Sequence, residues 1–290
     1  DIYNEPTAII LFVVEERAVN ICDQKTFEFN IGILRPDIKV VRRSFKDLRS
    51  SLKLNNDKRL MVGTYEVAVV YYRMGYDPRN YNGEQDWQLR LDIERSKAIK
   101  CPSIRYHLSG IKKIQQLLAD RSLLEKFIPD QKESDQVFQT FAGLWGLELG
   151  KDSAEKAIES VYKNPKNFVL KPPREGGGNN YYADDTEHDI IKKLDEIRNS
   201  EERESYILME FLRQPQIPNY ILVPNRSINE NNFKPVNVVS ELGIFGVIIG
   251  TSNEIVCDYE AGHVLRSKMS GVHEGGIAAG FGAVDSPFLF

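Results

Sequence analysis

The amino-acid sequence predicts a protein that combines two arrangements of helix and strand. A small parallel sheet of the α/β class comes first, and antiparallel or mixed strands of the α+β class follow it. Three features support this prediction. A continuous apolar run at 8–14 has the pattern of a strand buried on both faces. A second apolar run lies at 66–72, and helical stretches separate the two runs, as in a parallel sheet. From residue 168 onward the strands follow one another with fewer helices, which favours antiparallel pairing.

The periodicity of apolar residues gives each element in turn. In the first half, strands alternate with helices: strand 8–14, helix 21–34, strand 38–41, amphipathic helix 45–54 and strand 66–72. Helix dominates from residue 85 to about residue 128. The later strands are expected at 168–170, 207–209, 220–223 and 236–249. The length of 290 residues allows two domains, and we place their boundary near Gly110, between 1–109 and 110–290.

Composition excludes several classes of protein. Apolar residues make up 41% of the chain and charged residues 28%, which is the balance of a globular rather than a disordered protein. The net charge of −4 argues against broad binding to nucleic acid or anionic membranes, and no apolar run approaches the length of a membrane span. Three scattered cysteines fit a reducing compartment such as the cytoplasm. The chain begins without Met and looks like part of something longer, so secretion stays open.

The segment 168–182 is the strongest indication of function. A short strand, 168–170, leads into Lys171, which the following proline biases toward an extended conformation. After it come Arg174, Glu175, Gly176, Gly177, Gly178, Asn179 and Asn180. Glycines let backbone N–H groups approach an anion closely, and a carboxylate beside them suits Mg²⁺. The pattern predicts a lid over a nucleoside triphosphate, although Gly-Asn clusters also mark ordinary surface loops.

Two strands further along the chain are candidate parts of the same site. The strand 206–210 runs into a connector, where Met209 and Leu212 could flank an adenine ring; the alternative is an ordinary core strand. Glu241 lies inside an apolar strand pair. Because a buried carboxylate must be paired or bind a ligand, Glu241 forms either a structural salt bridge or a ribose or metal contact.

Arginines and lysines at strand edges complete the candidate residues. Arg266 and Lys268 alternate on a strand-like segment and therefore share one face. The Gly- and Ala-rich run at 274–283 is either a second flexible lid or a tightly packed core segment. Arg73 comes directly after the strand 66–72. There it could bind a carboxylate through two guanidinium nitrogens, or it could form a surface salt bridge.

Together these stretches resemble eukaryotic-type glutathione synthetase, an ATP-grasp ligase, over nearly the whole chain. The matching motifs are Arg73-x-Gly-Tyr76, Gly110-x-Lys-Lys-x-Gln-Gln116, the glycine-rich segment 168–182, Ile207–Glu210, Ser240–Gly246, Arg266-x-Lys268 and Gly275-Gly-x-Ala-Ala-Gly280. The resemblance implies an ATP-grasp fold, with a substrate-binding α/β domain at 1–109 and an ATP-grasp domain at 110–290. It also implies an N-terminal part of the same protein that this segment lacks.

The resemblance assigns roles to particular residues. The implied ATP contacts are Lys112, Lys171, Gly176, Gly177, Gly178, Asn179, Asn180, Tyr182, Met209, Glu210, Leu212, Glu241, Lys268 and Glu274. The implied Mg²⁺ ligand is Glu175. The implied substrate contacts are Asn20, Gln24, Arg73, Tyr76, Arg266, Ile277 and Ala278, and Arg266 also carries the catalytic role.

The resemblance further implies a reaction in which ATP and Mg²⁺ drive the joining of γ-glutamylcysteine to glycine through an acyl phosphate. The implied protein is a homodimer, and the segment alone is expected to be inactive. Two positions depart from the family pattern: Ala18 falls where an acid binds substrate, unless the alignment slips to Glu15 or Glu16, and Glu274 replaces an Asp. These departures keep open an alternative, a divergent paralogue with altered substrate or weak activity that acts as a binding or effector-like protein.

Overall fold

The computed structural model describes residues 2–172, 179–183, 185–222, 234–273, 275–277 and 280–287. The chain divides into two compact units, Asp1–Leu117 and Leu118–Phe290, each with its own secondary structure. The division falls a little beyond Gly110.

The first unit is built on a six-stranded mixed sheet. Its elements are β1 (Ile9–Val13), α1 (Ile21–Leu34), β2 (Val40–Arg43), α2 (Phe45–Ser51), β3 (Leu52–Leu54), β4 (Leu60–Val62), β5 (Tyr65–Tyr72), α3 (Glu84–Arg95), β6 (Ile99–Cys101), α4 (Ile104–Ser109) and α5 (Lys112–Leu118). The strand order is β2-β1-β5-β4-β3, and β6 also pairs with β5. The strands β2, β1, β5 and β6 are parallel, which confirms the predicted parallel sheet.

The core of the first unit packs against β1, which lies between β2 and β5. Leu11 and Val13 of β1 are fully buried, and they belong to one apolar cluster with Leu48 of α2 and Ile93 of α3. Burying an aliphatic side chain of this kind contributes about 1.5–3 kcal/mol. Phe12, on the opposite face of β1, is also buried and meets the Tyr71 ring edge-on, so the apolar run that predicted β1 is that of a strand covered on both sides.

One predicted helix of this unit is too long. The sequence predicted a helix at 45–54, but α2 ends at Ser51 and the next three residues form β3. Ser44 caps α2 in a reciprocal capping box with Asp47, so the predicted start is correct. The end differs because Leu52 pairs with Val62 across an antiparallel ladder, and this tertiary pairing overrides the helical pattern.

The second unit contains two antiparallel sheets. Its elements are α6 (Arg121–Phe127), α7 (Gln131–Phe138), β7 (Leu144–Gly146), α8 (Asp152–Lys163), β8 (Phe168–Lys171), α9 (Ile190–Ile197), β9 (Ile207–Glu210), β10 (Ile217–Asn219), β11 (Val236–Gly250), β12 (Ile255–Met269) and β13 (Gly282–Asp285). One sheet has the order β7-β9-β8 and the other β10-β11-β12-β13. The prediction of antiparallel strands is confirmed. The strand predicted at 220–223 is wrong, because β10 ends at Asn219.

The three-stranded sheet packs on α8 and α9. Buried Leu170 and Leu208 meet Ile158 of α8 and Leu194 of α9 in one apolar cluster. Arg203, only 2% exposed, closes the end of this core. Its guanidinium donates to the carbonyls of Leu147 and Arg198 and to the Glu155 carboxylate, so the buried charge is paired. This core fixes the positions of β8 and β9. Most of the predicted ATP contacts lie at the ends of these two strands or just after them.

Candidate nucleotide and substrate site

The predicted lid lysine ends β8, as expected. Lys171 pairs with Ile207 of β9. The chain that leaves β8 has returned to it at Tyr181, whose N–H donates to Leu170 O at 2.9 Å while the Leu170 N–H donates back at 3.1 Å. The predicted contacts nearest to Tyr181 in the sequence are Asn179, Asn180 and Tyr182. Glu175, Gly176, Gly177 and Gly178 lie outside the described residues.

The Tyr182 ring lies at the centre of an aromatic group. It stacks on the His273 ring, with centroids 4.1 Å apart and planes 16° apart. Phe211 meets the Tyr182 ring edge-on at 6.1 Å, and the Asn180 Nδ2 donates to the Tyr182 hydroxyl at 3.3 Å. The sequence analysis missed Phe211 and His273, since a single aromatic residue in a connector carries no periodic signal.

The strand β9 is a core strand only in its first half. Ile207 and Leu208 are buried, Met209 is half-buried, and Glu210 is exposed. The Glu210 Oε2 accepts from the Gly143 N–H at 3.0 Å, and the Glu210 N–H donates to Gly143 O. Leu212 is 62% exposed. The connector after β9 is thus anchored through its backbone and Glu210, while Leu212 is available for contact with a ligand.

The hairpin of β11 and β12 carries the two residues of the predicted cationic face, Arg266 and Lys268, both on β12. Glu241 and Arg266 are opposite each other in the ladder, and the Arg266 Nη2 donates to both Glu241 oxygens at 2.8 Å. Glu241 was predicted to be buried, but its side chain is 62% exposed, because the hairpin extends beyond the core of the unit. The salt-bridge alternative is therefore present; at this exposure it adds roughly 0–1 kcal/mol to stability.

The turn that follows β12 packs tightly on this face. Lys268 Nζ donates to His273 O at 2.9 Å. A Cβ on Gly275 would come 3.4 Å from the Arg266 Cζ, so the glycine backbone lies against the guanidinium. Ile277 accepts from the Gly280 N–H at 3.0 Å and is largely exposed. Glu274 and Ala278 lie outside the described residues.

Four of the predicted substrate residues lie near the carboxyl ends of parallel strands in the first unit, where α/β sheets commonly bind ligands. Gln24 is fully buried; its Nε2 donates to Asn20 Oδ1 at 2.8 Å, and its Oε1 accepts from Arg42 at 2.5 Å. Arg73 forms an ion pair with Asp23, and Tyr76 is 57% exposed.

The Arg73 guanidinium also donates to the Tyr71 hydroxyl at 3.1 Å. Burial of Arg73 opposes its charge, but the hydrogen bonds to Tyr71 and Asp23 outweigh it and raise the pKa of Arg73 above its ordinary value. Asp23 and Tyr71, which the sequence analysis missed, therefore hold this guanidinium in place. Lys112 begins α5 in the same unit, and its ATP contact stays a prediction.

Two findings concern the described ranges alone, residues 2–172, 179–183, 185–222, 234–273, 275–277 and 280–287. Within those ranges, no group of three or more His, Cys, Asp or Glu side chains could hold a metal ion. None of the helices described is long and apolar enough to cross a membrane.

Two compact units, one with a parallel-containing sheet and one with antiparallel sheets, give the chain the mixed α/β fold that the sequence predicted. The family model described as "Eukaryotic glutathione synthase, ATP binding domain" matches residues 7–289. The chain therefore belongs to the eukaryotic glutathione synthetase family, as its motifs predicted.

Individual relatives agree with the family match. The chain is 40% identical to the glutathione synthetase of Homo sapiens over 289 residues, which are 99% of this chain and 58% of that protein. It is 37% identical to the chloroplastic glutathione synthetase of Arabidopsis thaliana over 99% of this chain and 51% of that protein. The chain thus spans less than two thirds of these relatives.

A solved structure shares the fold. The glutathione synthetase like-effector GSS30 from Globodera pallida, in its apoform, aligns over 99% of this chain and 58% of its own, with a TM-score of 0.73 and 22% identity. At this identity the likeness concerns the fold alone.

Proposed function

We propose that the protein is an ATP-dependent ligase that joins γ-glutamylcysteine to glycine. Family membership supports this proposal, and one observation in the chain carries it. The return of the lid segment to β8, the Tyr182–His273 stack and the Lys268–His273 hydrogen bond link the end of β8 to the cationic face of β12. These contacts connect the segment that carries Lys171 to the strand that carries Lys268 and Arg266. A site for a polyanionic nucleotide requires several cations held together in this way.

The proposed reaction has two steps. The cysteinyl carboxylate attacks the γ-phosphorus of ATP, the bond to the β-phosphate oxygen breaks, and ADP leaves. The glycine amine then attacks the acyl phosphate, loses a proton, and expels inorganic phosphate as the peptide bond forms. Phosphoryl transfer of this kind needs little covalent help from protein, so the work of Lys171, Lys268 and Arg266 is to hold charge in place.

Mg²⁺ is proposed as the cofactor, which when bound would supply positive charge to offset that of the ATP phosphates. Mg²⁺ sites of this kind use only one or two protein carboxylates, and among the described residues of the predicted site the exposed Glu241 can offer one. Glu175 is the proposed carboxylate. Glu241, which is held by Arg266, is proposed for the ribose or the metal.

We propose three further properties that follow those of the family. They are the homodimer, the cytoplasmic location, and the partnership of this segment with the rest of the protein, as in relatives of which it spans about 58%.

Phosphate release by the full-length protein tests the proposed reaction. With ATP, Mg²⁺, γ-glutamylcysteine and glycine present, we expect release that depends on both the peptide and glycine. Release that continues when either is omitted, or ATP binding without turnover, would contradict a ligase of this specificity.

An altered first substrate is the second candidate, and Ala18 favours it. Where family members have an acid for the substrate ammonium, this chain has a methyl group. In the folded chain Glu15 and Glu16 line a cavity of about 360 Å³ beside Phe45, and Glu16 pairs with Lys46 at 3.5 Å. We propose that neither of them replaces the missing acid. This second candidate is a paralogue that keeps the nucleotide half and has a weakened or changed peptide half.

The substitution Ala18→Glu separates the two candidates. A restored charged contact is worth about 1.5–3 kcal/mol, so the KM for γ-glutamylcysteine should fall roughly 10- to 100-fold. Glu16→Gln is the matched control and should leave KM unchanged, because it removes only an exposed pair. If the parent has high activity and Ala18→Glu does not change the KM, Ala18 does not weaken substrate binding. If Glu16→Gln raises the KM, Glu16 binds the substrate.

A further inference from the structure

Three aromatic rings meet where the second unit brings together three separate segments. Tyr182 follows the lid segment, Phe211 follows β9, and His273 lies in the turn after β12. The Tyr182 and His273 rings are nearly parallel at 4.1 Å, and Phe211 approaches the Tyr182 ring at 86° and the His273 ring at 70°. The edge-on contacts are favoured, because a ring edge is positive and a ring face negative, and the near-parallel pair buries two ring faces against each other.

The backbone of the same histidine holds a cation. His273 O accepts from the Lys268 Nζ at 2.9 Å across a turn of five residues. One residue therefore contacts an aromatic side chain through its ring and an ammonium group through its carbonyl. A change in where the His273 backbone lies must move both partners together.

We infer that His273 is a positioning residue for nucleotide binding, with its ring orienting Tyr182 and its carbonyl orienting Lys268. The inference rests on the proposed function, because Tyr182 and Lys268 are proposed ATP contacts. His273 itself need not touch the nucleotide. It fixes two contacting groups from two segments before the ligand arrives, which lowers the cost of ordering them on binding.

Two substitutions at this position separate the ring from the backbone. His273→Ala removes the stack and keeps the carbonyl, while His273→Phe keeps a ring of similar size. In calorimetric titration of the full-length protein with ATP and Mg²⁺, we expect His273→Ala to weaken binding about 2- to 12-fold, the equivalent of roughly 0.5–1.5 kcal/mol for one aromatic pair. His273→Phe should stay within about twofold of the parent.

A double-mutant cycle tests whether the effect passes through Tyr182. In a Tyr182→Leu background, His273→Ala should cause less than half of its effect on the logarithm of ATP affinity. Additive effects on affinity, equal affinities for parent and His273→Ala, or a His273→Phe variant as weak as His273→Ala would each overturn the inference.

These titrations, together with thermal unfolding of the same variants without nucleotide, distinguish this inference from the proposed function and from a purely structural role of His273. A parent protein that does not bind ATP refutes the proposed function and the inference with it. A parent that binds ATP, with variants that lower the thermal midpoint without nucleotide and leave ATP affinity unchanged, refutes the inference alone.

Discussion

Gly282→Ala tests the packing behind Arg266. Gly282 pairs with Lys268 in the β12–β13 ladder. A Cβ on Gly282 would lie 2.6 Å from Gly275 O, which is much closer than real Cβ contacts allow, and 3.5 Å from Arg266 Cγ. The obstructing atom is backbone, so it cannot rotate away. The Gly275 backbone, which lies against the guanidinium, must move instead. Overpacking of this kind costs about 1–3 kcal/mol.

Hydrogen exchange measures this cost locally, since amide protection reports the free energy of local opening. We expect protection of the β12–β13 amides to fall about 5- to 100-fold in Gly282→Ala, the equivalent of roughly 1–3 kcal/mol. Ligase turnover should fall as well, because Arg266 loses its backing. Gly246→Ala is the control: it lies in β11, and its Cβ would meet only Tyr259 O at an ordinary 3.7 Å. Equal protection in the two variants would refute the packing argument.

Two further predictions concern charged groups. Lys171→Ala should weaken ATP binding roughly 10- to 100-fold in calorimetry, because a charge-assisted contact is worth about 1.5–3 kcal/mol; an unchanged Kd removes Lys171 from the site. Asp86, 1% exposed, accepts from Arg49 at 2.8 and 3.0 Å, and this hydrogen bonding lowers the pKa of Asp86. Its contribution to stability is therefore present above the unfolded-state pKa of about 3.9 and is lost as pH falls through the lower folded pKa. Urea unfolding of the parent should show this acid loss and Asp86→Asn should not; identical pH profiles would contradict it.

Most of the fold could be predicted because periodicity responds to burial. The apolar runs that predicted β1 and β5 are those of strands in the sheet core, and the capping box of α2 could be read from Ser44 and Asp47. The end of α2 could not be predicted, because it depends on a pairing with Val62, ten residues away from Leu52. Non-local pairing leaves no trace in local pattern.

The candidate site divides along the same line. Lys171, Arg266 and Lys268 could be found from the sequence because they are strand-borne charges beside glycine-rich segments. The resemblance implied Tyr182, but Phe211 and His273 could not be found, since each is a single ring in irregular chain and acquires a role only through its contact with Tyr182. The two kinds of residue do different work. We expect the charges that a motif reveals to bind phosphates. The His273 ring should instead orient Tyr182, so its loss should appear first in nucleotide affinity rather than in the stability of the core.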